Sequence, residues 1–326
     1  MNKIIITGAA GFIGHALTKS LLAKGFYVIG IDCMTGDYKQ KGIKEYRLHE
    51  LLQEPNFSYV NLDLSCDITS LNSCLIGCNT IIHLAASAGV RESMKEPSIF
   101  IRNNISAFAN IIELAHKNGI KRFIYASSSS VYGNREIGTN GLTEDEITDC
   151  PQSVYAMTKK SNELLAYVYS SAYNMQTIGL RLFSVYGPYG RPDMAPWIFA
   201  NSIYEDSIAT IYNEGEMQRD FTYIDDVTNA IISIINKTIK DKYVIYNIGA
   251  SNPHSINELY KIIEMEMRKS GKYQYKATKN GDVKATFANI DRLKKNYDIK
   301  SFTNIHTGLS SFCSWFQKYM AEKTKK

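Results

Sequence analysis

The sequence predicts an α/β fold: a doubly wound parallel sheet followed by a smaller C-terminal α/β lobe. Three observations carry this. Short apolar runs alternate with longer, helix-like stretches through the first half of the chain; a glycine-rich turn joins the first run to the first helix; and past Gly187 the alternation gives way to Pro188, Gly190, Pro192 and Pro196 within nine residues. At 326 residues the chain is long enough for two domains of roughly 100–200 residues each.

The elements follow in order. Residues 4–7 form an apolar run too short for a helix, and after the glycine turn residues 15–24 read as a helix stopped by Gly25. Further strands are expected at 27–32, 57–62, 80–84, 123–126 and 177–182, with long helices at 99–118 and 154–173, the first ending at Gly119 and the second following Pro151. In the C-terminal part, helices are expected at 197–205, 225–236, 256–269 and 307–320 and strands at 208–212 and 243–248. The domains divide as 1–183 and 184–326, with part of 219–248 returning to the first.

Composition narrows the function. Hydrophobic residues make up 44% and charged residues 21%, and 37 basic against 32 acidic residues leave a net charge of only +5, with no basic patch of the kind nucleic acid requires. The six cysteines contain no Cys-x-x-Cys, and Cys74 and Cys78 have no nearby histidine to complete a metal site, so no metal is expected. They read as reduced thiols of a cytoplasmic protein. Nowhere do about 18 apolar residues run together, which argues against a membrane span.

The turn Gly8-Ala9-Ala10-Gly11-Phe12-Ile13-Gly14 follows a strand and opens a helix, where backbone N–H groups and the helix dipole favour a pyrophosphate. Asp32 ends the second strand 18 residues beyond Gly14, placed to accept hydrogen bonds from the adenosine ribose. Its charge would repel a 2′-phosphate, favouring NAD over NADP. Together they predict a Rossmann-type dinucleotide site. Asp63-Leu64 either flanks the adenine or is a turn.

Tyr155 and Lys159 stand four apart on one predicted helix face, close enough for the ammonium to favour the phenolate and make Tyr155 a general base. The serine run 127–130 ends the preceding strand, at the edge where open parallel sheets bind ligands. Arg191, in a loop, suits a charge-assisted hydrogen bond to a carboxylate, and Ser184 can add another.

The chain resembles the extended short-chain dehydrogenase/reductases, and within them the nucleotide-sugar 4-epimerases. The segments carrying the resemblance are T-G-A-A-G-F-I-G at 7–14, H-L-A-A-S-A-G-V-R-E-S at 83–93, Y-A-S-S-S-S-V-Y-G at 125–133, Y-A-M-T-K-K at 155–160, L-R-L-F-S-V-Y-G-P-Y-G-R-P-D-M-A at 180–195 and M-Q-R-D-F-T-Y-I-D-D at 217–226. The resemblance is strongest to the epimerases of UDP-glucuronate. It implies that NAD is the cofactor, that Tyr155 takes the proton of the sugar 4-hydroxyl, that Lys159 binds the nicotinamide ribose and that Ser128 contacts the 4-oxygen. It implies that Leu84, Ala85, Ala86, Asn103 and Phe183 line the cofactor, and that Arg219 and Asp282 contact the nucleotide, with Arg91 a further anion contact. It implies a homodimer built on helices 99–118 and 154–173.

Related enzymes that dehydrate or decarboxylate a 4-keto sugar carry acidic residues before Val-Tyr-Gly, where this chain has Ser129 and Ser130. A hydroxyl cannot replace a carboxylate as the acid or base of an elimination, which favours epimerisation. The alternatives are an epimerase of UDP-glucose or UDP-N-acetylglucosamine, a UDP-glucuronate decarboxylase, and a non-catalytic NAD-binding protein.

Overall fold

The computed structural model describes residues 2–34, 38–277, 283–299 and 301–324. Its strands are β1 (Lys3–Thr7), β2 (Tyr27–Asp32), β3 (Phe57–Asn61), β4 (Thr80–His83), β5 (Arg122–Ser128), β6 (Gln176–Leu182), β7 (Ser184–Tyr186), β8 (Ile208–Tyr212), β9 (Gln218–Tyr223), β10 (Tyr243–Ile248), β11 (Pro253–Ser255) and β12 (Lys272–Lys276). The helices are α1 (Phe12–Ala23), α2 (Tyr38–Leu51), α3 (Asn72–Leu75), α4 (Val90–Lys95), α5 (Pro97–Phe100), α6 (Ala107–Lys117), α7 (Val154–Tyr173), α8 (Ala195–Tyr204), α9 (Ile224–Asn236), α10 (Ile256–Met267), α11 (Asp291–Asn296) and α12 (Ile305–Thr324).

Seven strands form one parallel sheet in the order β10-β6-β5-β4-β1-β2-β3. Side chains alternate across it with period two, and the core splits accordingly. Ile4, Ile6, Val28, Ile82 and Ile124 face the layer of α1 and α9, whereas Ile5, Ile29, Ile31, Ile81 and Phe123 face the layer of α6. Strands buried on both faces read as continuous apolar runs, which is why they stood out in the sequence. The C-terminal lobe adds a three-stranded sheet, β11-β9-β7, and a two-stranded one, β12-β8.

Two departures from the sequence expectation bear directly on the site. The expected single helix 99–118 is α5 and α6 joined by a π-helical segment, Ile101–Ser106. Inside it the buried Asn104 donates to Ser87 O (2.9 Å) and Thr158 Oγ1 (3.0 Å) and accepts from Ser87 N (2.7 Å). The wider turn thereby aims a polar side chain inward, binding the loop after β4 to α7, as π-bulges near functional sites do. The sequence reading also passed over α2, whose buried face sets the charged Arg47 between Ile43 and Leu51.

Candidate active site

Sheet order reverses beside β1, which has β2 on one side and β4 on the other. Connections leave to opposite faces there, and the crevice beyond the strand C-termini is where open α/β sheets take ligands. The glycine turn lies at the end of β1. Gly8 has φ +72°, and a Cβ on it would lie 2.8 Å from Ala85 N; a Cβ on Gly14 would lie 2.0 Å from Gly8 O. Only hydrogen fits at either position, so the turn packs directly onto the loop after β4 and α1 begins at Phe12. The helix starts earlier than expected, which puts the N–H groups of Phe12, Ile13 and Gly14 in its first turn, where no intrahelical acceptor exists. Gly11, its N-cap, supplies no side-chain cap. These groups fit a dinucleotide pyrophosphate.

Asp32 lies beyond them but is not bare. Its carboxylate accepts from Ala10 N (3.1 Å), Met34 N (3.0 Å) and the Lys44 ammonium (2.7 Å). The charge expected to repel a 2′-phosphate is thus ion-paired. Asp63 Oδ1 accepts from Ser65 N (2.9 Å) and Ser65 Oγ (2.7 Å), making the turn that was one of its two expected readings, while Leu64 is buried in the core. Leu84 and Ala85 are half-buried at the end of β4 and Ala86 is exposed there. Asn103 donates to Ser87 Oγ (2.9 Å), and Phe183 is buried with Val131 and Tyr132.

Ser128 is the last residue of β5 and caps the short 3-10 turn Ser129–Tyr132 by accepting from Ser130 N (3.1 Å). Tyr155 lies in the first turn of α7, which Ser153 caps by accepting from Ala156 N (3.1 Å). Ser93 of α4 fixes the same turn by accepting from Tyr155 N (3.0 Å). The Tyr155 phenol meets the Ser128 hydroxyl and lies within the field of Arg191. Lys159, one turn on, is buried, donates to Ala126 O (2.9 Å) and holds its ammonium 5.9 Å from the Tyr155 ring centroid.

One electrostatic expectation is corrected. Burial pushes the Tyr155 phenol above its ordinary value, and the Ser128 hydrogen bond and the Arg191 charge offset this only in part. Burial likewise pushes Lys159 down to about 8. The lysine directs its ammonium at a backbone carbonyl, so spacing on the helix face does not by itself give a phenolate.

Arg191 is expected to hold a carboxylate and already holds one. Its Nε and Nη2 donate to Asp193 Oδ1 (3.0 Å) and Oδ2 (2.5 Å), and Nη2 also donates to Ala88 O (3.2 Å). Although burial opposes its charge, Asp193 keeps the guanidinium pKa above its ordinary value. Ser184 opens β7, half-buried and paired with Phe221. Arg219, on β9, donates to Gln218 O (2.8 Å) and Lys284 O (3.3 Å). The Arg91 guanidinium stands 5.0 Å from the Tyr212 ring centroid, joining α4 to β8. Asp282 lies outside the described residues.

Sequence reasoning missed the groups behind these. Glu163, one turn beyond Lys159, accepts from Ser127 Oγ (2.6 Å) and takes both Arg181 Nε (2.9 Å) and Nη2 (3.0 Å), fixing the end of β5 from below. Its place at i+4 from Lys159 was the one signal available. On α2, Lys44, Arg47 and Glu50 follow one another at i, i+3 and i+6 along the face turned toward the site.

A glycine turn at a sheet crossover, with a serine-ended strand and a Tyr/Lys pair beside it, defines a dinucleotide-dependent enzyme of the short-chain dehydrogenase/reductase type. The chain belongs to the NAD dependent epimerase/dehydratase family, whose model matches residues 4–249. It is 36% identical to a UDP-glucuronate 4-epimerase of Thermodesulfobacterium geofontis over 97% of this chain and 96% of that one. It is 41% identical to protein CapI of Staphylococcus aureus over 97% and 99%. The UDP-glucuronic acid 4-epimerase of Bacillus cereus, solved with UDP-glucuronic acid and NAD, superposes with a TM-score of 0.91 at 31% identity, over 97% of this chain and 99% of that one.

Proposed function

We propose that the protein interconverts UDP-glucuronate and its C4 epimer, UDP-galacturonate, with NAD as a recycled cofactor. The observation that carries this is the convergence at one end of the sheet of Ser128 at the end of β5, Tyr155 in the first turn of α7, fixed by Ser93, and Arg191, bonded to Ala88 O in the loop after β4. When bound, the nicotinamide accepts the C4 hydrogen as hydride and returns it. Tyr155 removes the proton of the 4-hydroxyl, and Ser128 donates a hydrogen bond to the 4-oxygen as it becomes a carbonyl. The 4-keto sugar then turns its other face, and Tyr155 gives the proton back. Lys159, its ammonium 5.9 Å from the Tyr155 ring centroid, serves the nicotinamide ribose.

Arg191 is the partner of the sugar carboxylate, with Ser184 as a second donor. A fixed carboxylate matters because the 4-keto intermediate is a β-keto acid, which loses CO₂ readily when its carboxylate is free to rotate. Arg219 serves the diphosphate. Epimerisation fits better than dehydration because Ser129 and Ser130 offer no acid or base.

The test is to incubate the protein separately with UDP-glucuronate, UDP-glucose and UDP-N-acetylglucosamine and resolve the products by NMR. UDP-galacturonate from the first, at the highest rate, is the expected result; turnover of only the neutral sugars overturns the carboxylate assignment. Tyr155→Phe is expected to lower turnover by about 10³-fold or more while NAD still binds. Unchanged turnover in that variant would remove Tyr155 from the mechanism.

We also read the chain as a cytoplasmic homodimer. Among the described residues no helix is long and apolar enough to cross a membrane. On the two stretches expected to form the dimer, Ile99 and Ile101 of the first and Leu164, Tyr167 and Val168 of α7 are exposed and suit a helix-to-helix interface between copies. Light scattering at micromolar concentration checks it.

A further inference from the structure

Arg47 is fully buried and hydrogen-bonds to backbone carbonyls at two distant places in the chain. Its Nη1 donates to Ala10 O (3.2 Å) in the glycine turn, while Nε and Nη2 donate to Tyr189 O (3.1 and 2.5 Å) and Nη2 donates to Gly190 O (3.0 Å), immediately before Arg191. We propose that Arg47 is a positioning residue which locks the turn beneath the cofactor to the loop that aims Arg191, so that both ends of the crevice move as one body.

The surroundings make this a device rather than a filler. Tyr189 is held at φ +61°, a left-handed conformation that a bulky side chain disfavours. It is pinned twice from α2, by Arg47 at its carbonyl and by Glu50, which accepts from its hydroxyl (2.8 Å). Glu50 also meets His15 Nε2 (3.1 Å) and Lys19 Nζ (3.2 Å) on α1, the helix that the glycine turn opens. Lys44, on the same face, reaches Asp32. Simple packing at this place would be met by a leucine. Burial opposes the charge of Arg47, and Arg191 adds like-charge repulsion. A planar fork able to serve three carbonyls at once is what only arginine supplies. Because no atom of it is exposed to the crevice, it acts through Ala10 and Arg191 and not on substrate.

The inference rests on the reading of Arg191 as the partner of the sugar carboxylate, and the experiment separates the two. Arg47→Met, Arg47→Lys, Arg191→Ala and the double variant Arg47→Met/Arg191→Ala are purified, their melting temperatures compared, and the NAD carried by each folded chain released and quantified. In the natural background Arg47→Met is expected to lower kcat/KM for UDP-glucuronate by about 30-fold, chiefly through KM, and in the Arg191→Ala background by less than about threefold. NAD per chain falls in Arg47→Met because the glycine turn loosens, and Arg47→Lys, which keeps the charge and loses the fork, restores neither. Equal factors in both backgrounds overturn the coupling, as does an Arg47→Met protein with natural KM and NAD content. Full rescue by Arg47→Lys overturns the role of the fork. If Arg191→Ala itself leaves UDP-glucuronate turnover intact, the carboxylate reading falls and takes the coupling with it; that differs from failure of the Arg47 inference alone, in which Arg191→Ala is crippling and Arg47→Met is silent.

Discussion

Two buried arginines flank the crevice and are held in opposite ways. Arg181, beneath the serine end of β5, is paired fork to fork with Glu163 and also donates to Glu144 O (3.1 Å). Burial works against its charge, yet Glu163 outweighs it and drives the guanidinium pKa above its ordinary value. Arg47, on the cofactor side, meets only backbone carbonyls in its hydrogen bonds, and there burial wins and pushes its pKa down. A buried pair keeps its place by mutual charge, whereas a buried cation bonded to carbonyls keeps its place by geometry. The first is vulnerable to losing its partner; the second is costly to hold whether or not it works.

The sharpest way to break the comparison is Glu163→Gln. It leaves the Arg181 charge uncompensated among buried neighbours and weakens the bond from Ser127, so stability is expected to fall by about 3–5 kcal/mol in urea unfolding. Replacing Glu163 and Arg181 together by methionine is expected to cost less than Glu163→Gln alone. If the single variant loses under about 1 kcal/mol, the pair is no anchor for the strand end.

Lys159 is a third buried cation and allows a test by pH. With a folded value of about 8 against an ordinary 10.5, the unfolded chain binds more protons between those values. Stability therefore rises with pH across that window, and the full cost of the charge is present below it. Lys159→Met is accordingly expected to be more stable than the natural protein by about 2–3 kcal/mol at pH 7, the gap closing toward pH 10, while turnover is lost. A gap that does not change with pH would mean the ammonium is solvated after all.

The same contrast explains what could be read from the sequence. The glycine turn and the Tyr155/Lys159 pair are local patterns, fixed by spacing along one turn or one helix face, and the central strands of the parallel sheet carry apolar runs. Helix α2 left a broken trace: Ile43 and Leu51 face the core, but the position between them on the buried face is Arg47, with Lys44 and Glu50 beside it, so a search for apolar periodicity is interrupted there. Arg47 meets Tyr189 across 142 positions, a pairing that exists only after the chain has folded. The π-helical turn was hidden for a related reason: its purpose is to bury Asn104, a polar residue in an otherwise helix-like run. Polar groups that face inward are where reading by hydrophobicity fails, and here they surround the site.

The smallest expected effect is on stability at Arg47, and it is the one that separates geometry from charge. Arg47→Met removes a cation whose burial is unfavourable, but it strands the carbonyls of Ala10, Tyr189 and Gly190. These terms oppose each other, since charge-assisted bonds are worth about 1.5–3 kcal/mol each and the desolvation of an ion costs several. The net loss in urea unfolding is expected to be about 1 kcal/mol, well below that of Glu163→Gln. A loss as large as that of Glu163→Gln would place Arg47 among the anchors of the fold. A small loss beside a large change in KM places it where its bonds point, between the glycine turn and Arg191.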